Sequence, residues 1–390
     1  MSWLLRNKIF IKQETFTRFT HIRMKLLKTT VYIVALMHVS FFATAQNSSN
    51  KKCNVLAYYT GDAAEIDKYN VAGLTHIIFS FTHLQGNNLH VDKAKDTVTI
   101  RKLVSLKKKY PALKIIFSMG GWGGCKECSA VFNTDTGRKE FAASSKHLLQ
   151  YFDADGLDLD WEYPTIQGFP GHQFLPEDRH NFTMLIEELR KAFGSKYELS
   201  FAAGGFTDFI LHSVEWDQIM PLLDRVNLMT YDLVHGFSTI SGHSTPLYST
   251  PYQRESGDNA VRMLDSMHVP LNKLVLGAAF YARIFQVQDS LNNGLYRPCK
   301  FIRGVDYKNM DAQILSDTNY HYHWDSIAHA PYFFNDKENL LVTFDNKQSV
   351  AEKTQYVIDK GMDGIMFWEL TGDVPANGLL KAIDEVAEKK

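Results

Sequence analysis

Short apolar runs alternate with longer segments that are apolar on one side only, and this rhythm holds from Cys53 to the end of the chain. Runs 55–59, 76–81, 114–119, 199–203, 226–231, 274–280 and 364–368 are rich in β-branched and aromatic residues and read as buried strands. Segments 97–109, 136–152, 177–193, 259–267, 349–360 and 376–388 carry apolar residues at helical spacing, with shorter helices at 66–69 and 216–223. In 177–193 the stripe is Phe182, Leu185, Ile186 and Leu189, and Gly194 stands where a helix cap belongs. One further strand begins at Asp155. Eight strands, most followed by a helix, predict an α/β fold: a closed (β/α)8 TIM barrel. A doubly wound open sheet fits less well, because no Gly-rich phosphate loop follows the first strand.

The interval 284–344 breaks the rhythm between the seventh strand and the helix before the eighth. It is too long for an ordinary loop. It carries Tyr296, Phe301, Tyr307, Tyr320, Tyr322, Trp324, Tyr332, Phe333, Phe334 and Phe344 with turn residues between them. This predicts a small α+β insertion with antiparallel strands, seated on the barrel's carboxyl-end rim.

The fourth strand, Asp155-Gly-Leu-Asp158-Leu-Asp160-Trp-Glu162, is the candidate for chemistry. Alternation puts Asp158, Asp160 and Glu162 on one face and Leu157, Leu159 and Trp161 on the other. Burial and neighbouring like charge both disfavour ionisation, so at least one of the three carboxyls is expected to hold a proton near neutral pH. A protonated carboxyl is what a general acid needs. A calcium loop would call for more oxygen ligands and a Gly-centred turn in place of Leu and Trp. Asp155 has the opposite parity and is expected to anchor the strand start.

Composition narrows the picture little. Lys and Arg number 42 against 43 Asp and Glu, so nothing points to nucleic acid or an anionic surface. The Cys125–Cys128 spacing matches half a zinc knuckle, but no second pair of ligands follows; a local disulfide or two free thiols are the readings left. The start of the chain reads as an export leader over residues 1–45: Met24-Lys-Leu-Leu-Lys, an apolar run 29–42, then Ala43-Thr44-Ala45 before Gln46. Residues before Met24 are either an over-extended start or an uncleaved leader. The apolar run is short for a membrane span. The expected product is therefore an exported monomer, secreted or periplasmic, over 46–390, with no stable membrane insertion.

The motifs together resemble glycoside hydrolase family 18, the chitinase family. The acidic strand fits D-x-x-D-x-D-x-E, Ser118-Met119-Gly120-Gly121 fits S-x-G-G, and Met229-Thr-Tyr231-Asp232 fits M-x-Y-D. Segment 277–283 resembles the family's seventh-strand motif, and Trp368-Glu-Leu its terminal tryptophan strand. Ala279 and Ala282 stand where proline and glycine are common, and Tyr58-Tyr59 lacks the usual following tryptophan; these departures bear on outer sugar subsites.

The resemblance implies cleavage of β-1,4-linked N-acetylglucosamine in which the substrate's acetamido group replaces a second carboxylate, an exception to the two-carboxylate rule that is known for this family. It implies Glu162 as general acid and base, Asp160 as partner of the acetamido N–H, and Asp158 sharing a proton with Asp160. Tyr231 would turn the acetamido carbonyl toward the anomeric carbon, and Asp232 would bind the same sugar. Trp368 would floor the site; Trp122, Tyr281, Arg283, Met229 and Tyr58 would line it, with Met229 largely packing and Ser118 supporting the carboxyls from behind. His172, His235 and His243 fall in rim loops and read as solvated or structural rather than catalytic. No metal or cofactor is implied; the partners are chitin or N-acetylglucosamine oligosaccharides. An endo-β-N-acetylglucosaminidase acting on N-glycans is the alternative, and a silent chitin-binding lectin is disfavoured by the presence of Glu162.

Overall fold

The computed structural model describes residues 53–388; the leader reading and the residues on which it rests lie outside them. Fourteen strands are formed: β1 Asn54–Tyr59, β2 His76–Gln85, β3 Asn88–His90, β4 Lys114–Gly120, β5 Gly156–Asp160, β6 Glu198–Gly204, β7 Arg225–Met229, β8 Leu274–Ala279, β9 Tyr281–Val287, β10 Cys299–Asp306, β11 Tyr320–Asp325, β12 Ala330–Asn335, β13 Leu340–Phe344 and β14 Gly364–Trp368. Eight of them run parallel in the order β1-β2-β4-β5-β6-β7-β8-β14, and β14 pairs back onto β1 to close a barrel. The predicted (β/α)8 TIM barrel is formed.

Two apolar layers hold it. Outward-facing residues such as Val55, Ile77, Ile115, Leu157, Leu199 and Val226 meet the surrounding helices. Inward-facing Leu56, Tyr58, Ile78, Ile116, Ala202, Met229, Val275 and Met366 fill the barrel. Burying each large side chain contributes roughly 1.5–3 kcal/mol. Strand β5 obeys the same alternation, so its carboxylates face the barrel interior while Leu157 and Leu159 join the outer layer. Trp161 packs outward against Phe132 and Phe182.

Several element boundaries differ from the sequence reading, and two of them bear on the site. Strand β2 continues to Gln85, because Leu84 pairs with Leu89 in a hairpin to β3. The antiparallel sheet of the insertion, ordered β10-β9-β13-β12-β11, starts at Tyr281 rather than 284. The barrel strand stops at Ala279, and the backbone N–H of Phe280 donates to the Trp368 carbonyl. Tyr281 and Arg283 then pair with Asp306 and Gly304. These two residues, which the resemblance places in the seventh-strand motif, belong to the insertion's sheet.

The insertion has a small core on each face of its sheet, one built around Ile284, Val305, Phe333 and Val342 and the other around Val287, Leu295, Tyr332 and Phe334. A buried ion pair ties it to the barrel: Lys353 Nζ stands 2.7 Å from Asp345 Oδ2, and the same oxygen accepts from the Ala279 backbone N–H at the end of β8. Among the described residues no helix is long and apolar enough to cross a membrane.

Candidate active site

Asp158 is fully buried inside the barrel, and four donors surround it. Ser118 on β4 and Ser200 on β6 stand opposite it in register on the two neighbouring strands. Ser200 Oγ donates to Oδ1 at 2.7 Å and Ser118 Oγ to Oδ2 at 3.0 Å. Tyr58 Oη donates to Oδ2 at 2.9 Å, and Asn227 Nδ2 to Oδ1 at 3.0 Å. Burial pushes the Asp158 carboxyl up, and the four hydrogen bonds oppose this without cancelling it.

Asp160, one step nearer the carboxyl end, is also buried but has no such escort: its Oδ1 has no hydrogen-bond partner. Burial and then the charges of Glu162 and Asp158 push its carboxyl well above the usual range. Glu162 lies two residues past the end of β5 and is half-buried. Burial pushes it up to about 7; a hydrogen bond with the Tyr163 side chain opposes this, and the charge of Asp232 adds to it. Asp160 and Glu162 titrate as a pair, and that pair retains a proton at neutral pH.

Two glycines let these elements come together. Gly120, at φ +112°, lies so close to β5 that a Cβ would stand 2.3 Å from the Asp160 carbonyl oxygen. A Cβ on Gly277 would meet the Leu228 carbonyl at 2.5 Å and the Tyr231 ring at 2.9 Å. Tyr231 follows the end of β7 and its phenol is kept protonated, its proton affinity raised by burial and by the Tyr281, Asp160, Glu162 and Asp232 groups around it. Asp232, in the left-handed region at φ +52°, is gripped by Arg283: Nε to Oδ1 at 2.7 Å and Nη2 to Oδ2 at 2.6 Å. Arg283 also lies over the Tyr281 ring at 4.7 Å. The insertion therefore delivers Tyr281 and Arg283 to the mouth of the barrel.

Trp368, at the end of β14, is stacked by Phe81 at 5.5 Å and flanked by Tyr58 at 5.8 Å. An open cavity of about 300 Å³ beside it is walled by Thr60, Tyr281, Arg283, Asp306 and Glu369, though not by the three carboxyls. Trp122 stands on the rim, 49% exposed, with Phe169 at 5.5 Å and Phe237 at 6.3 Å. The loop that carries it is cross-linked by the Cys125–Cys128 disulfide, so of the two readings of that pair the bonded one is formed.

The structure thus gathers Asp158, Asp160, Glu162, Tyr231, Asp232, Tyr281, Arg283 and Trp368 at one end of the barrel. Tyr58 sits differently from its expected place on the lining, whereas Met229 is largely packing, as expected. Tyr58 is 1% exposed and its hydroxyl is used on Asp158. Met229 packs among Ile116, Ala202 and Val275. Asp155 anchors the strand start as expected, accepting from the Ile115 N–H at 2.7 Å and pairing with Lys107. His243 is fully buried against Asp325. Sequence reasoning missed Ser200, Phe81 and Tyr163; a lone serine at an inward position of an apolar strand was the available signal for the first. Among the described residues no group of three or more His, Cys, Asp or Glu is placed to hold a metal ion.

Comparison with known proteins agrees with this geometry. Residues 54–373 match the profile of Glycosyl hydrolases family 18. Chitinase A1 of Niallia circulans is 29% identical, over 88% of this chain and 61% of its own length; this chain therefore spans less than two thirds of that relative. Chitotriosidase-1 of Mus musculus is 32% identical, over 77% of this chain and 67% of its own. A solved structure of a glycoside hydrolase family 18 N-acetylglucosaminidase from Paenibacillus barengoltzii superposes with a TM-score of 0.77 at 30% identity, covering 86% of this chain and 99% of that one. With the barrel, the acidic strand and a match over most of its length, the chain belongs to glycosyl hydrolase family 18.

Proposed function

We propose that this protein is a chitinase that hydrolyses β-1,4-linked N-acetylglucosamine chains with retention, through assistance by the substrate's acetamido group. One observation carries the reading. Glu162 has its proton affinity raised to about 7, while no other carboxylate near it is free to attack. Asp232 is forked by Arg283, Asp158 has four donors, and Asp160 is buried with its affinity raised well above the usual carboxyl range. An acid without a free carboxylate nucleophile suits a reaction in which the substrate supplies the nucleophile.

In this mechanism the Glu162 proton passes to the glycosidic oxygen as the C–O bond breaks. The acetamido oxygen closes onto the anomeric carbon, turned toward it by the Tyr231 hydroxyl. The ring so formed is positively charged; Asp160 accepts from its N–H, and the negative charge of the Asp158–Asp160 pair lies beside it. Glu162, now a carboxylate, takes a proton from the water that opens the intermediate. Trp368 provides the flat floor and Trp122 the rim. Chitin oligomers of defined length test this. The first product should carry the substrate's anomeric configuration by NMR, and Glu162→Gln should abolish turnover; inversion, or equal turnover in the variant, refutes it.

The likeness to an N-acetylglucosaminidase favours a second reading, release of single sugars or of glycans from a chain end. Product length decides: dimers support the chitinase, monomers alone or glycan released from glycoprotein support the alternative. We place the protein outside the cytoplasm, a reading supported by its leader pattern and by the Cys125–Cys128 disulfide.

A further inference from the structure

The two neighbours of β5 treat Asp158 symmetrically. Ser118 faces it in register from β4, and Ser200 faces it in register from β6. Ser118 belongs to a recognisable sequence motif; Ser200 belongs to none, yet its hydrogen bond, 2.7 Å, is the shortest of the four that Asp158 accepts. Ser200 is buried, its flanking residues Leu199 and Phe201 pack outward, and Asp158 is the partner of its hydroxyl. Asn227 reaches the same Oδ1 from β7 and also donates to Tyr58 Oη at 3.1 Å, so the two oxygens of Asp158 are held by different strands. The contrast with Asp160, whose Oδ1 has no partner, is complete.

We infer that Ser200 is a positioning residue which keeps the negative charge of the three-carboxyl row on Asp158 and thereby leaves the protons on Asp160 and Glu162. A hydrogen bond to the ionised form favours that form, so each donor lowers the pH at which Asp158 takes up a proton. Below that pH the row is fully protonated and holds no charge to balance the cationic intermediate. Ser200 thus sets the acid limb of the pH profile, whereas Glu162 sets the alkaline limb. The inference rests on the proposed function, and the two limbs let the two be tested apart.

The experiment is kcat/KM against pH on a chitin oligomer for the wild type, Ser200→Ala and Ser200→Thr. A hydrogen bond to a charged group is strong enough to move a titration by about one pH unit, which is about tenfold in rate on the acid side. The expected result is an acid limb raised by about that amount in Ser200→Ala, an unmoved alkaline limb, and recovery of the wild-type limb in Ser200→Thr. Thermal unfolding of both variants reports whether the barrel is intact. Equal loss at every pH in a folded Ser200→Ala variant, or an unmoved acid limb, overturns the inference while leaving Glu162 as the acid. Loss of the alkaline limb's link to Glu162 would instead remove the functional reading beneath it.

Discussion

Glu162→Gln changes one oxygen for an amide and keeps the side chain's shape, so its effect isolates the proton. With the carboxyl pushed up to about 7, the acid form makes up about nine tenths at pH 6 and about one tenth at pH 8. An ordinary glutamate, with a pKa of about 4.3, would be only about 2% protonated at pH 6. Burial therefore enriches the working acid roughly forty-fold at that pH, and kcat/KM should fall about tenfold between pH 6 and pH 8. General-acid catalysis contributes about 10²–10⁴ in rate, so the Gln variant should lose at least about a hundredfold on a chitin oligomer. An aryl glycoside with a nitrophenolate leaving group needs no proton on that group, and should lose much less. The assay is a pH series on both substrates with both proteins. If the variant keeps the limb near 7, or if both substrates lose the same factor, Glu162 is not the proton donor.

The same shift has a consequence for stability. A carboxyl whose folded-state pKa lies above its unfolded value binds its proton more tightly when folded, so folding loses stability as pH rises from about 4.3 through about 7. The difference in urea unfolding between Glu162→Gln and the wild type should be smallest at pH 4 and shift in the variant's favour by pH 8; a constant difference would count against the shift. Asp232→Asn removes a charge that raises Glu162 and leaves Arg283 unpaired beside it, so its alkaline limb should move below that of the wild type; an unmoved or raised limb refutes that charge effect. Lys353→Met leaves the Asp345 charge buried without its cation, at a cost of about 3–5 kcal/mol. The urea midpoint should drop sharply and recover in part when Asp345→Asn is added; additive losses would mean the pair is not a unit.

The barrel was legible because its strands are continuous apolar runs at steady spacing, a pattern that no competing fold explains as well. Its acidic strand was legible because period-two alternation is strict: Asp158 and Asp160 face inward as counted, and Trp161 outward. What escaped was set by tertiary contact. Nothing local to Tyr281 and Arg283 says that the barrel strand ends at Ala279, because that end depends on Phe280 donating to Trp368, 88 residues away in sequence. The resemblance implies a lining role for Tyr58, and only the place of Asp158 across the barrel shows where its hydroxyl goes. Arg283 and Asp232 were each legible as polar rim residues, but their mutual grip needed the insertion's placement.

That grip bears on how one strand can supply carboxyls with different proton affinities. Asp158, Asp160 and Glu162 share a residue class, a face and a spacing, so sequence gives no reason for them to titrate apart. Their surroundings do. Asp158 meets four donors and is the least costly place for a negative charge, while Asp160, equally buried, meets none at Oδ1 and is a costly one. Glu162, beyond the strand end and half-buried, is pushed up to about 7, near the pH at which an acid can also return as a base. Ordering by donors rather than by depth explains why β4, β6 and β7 each place a polar group at the level of Asp158. It also explains why Arg283 must hold Asp232: a free carboxylate there would add to the charge that raises Glu162 and draw the proton from a leaving group that needs it.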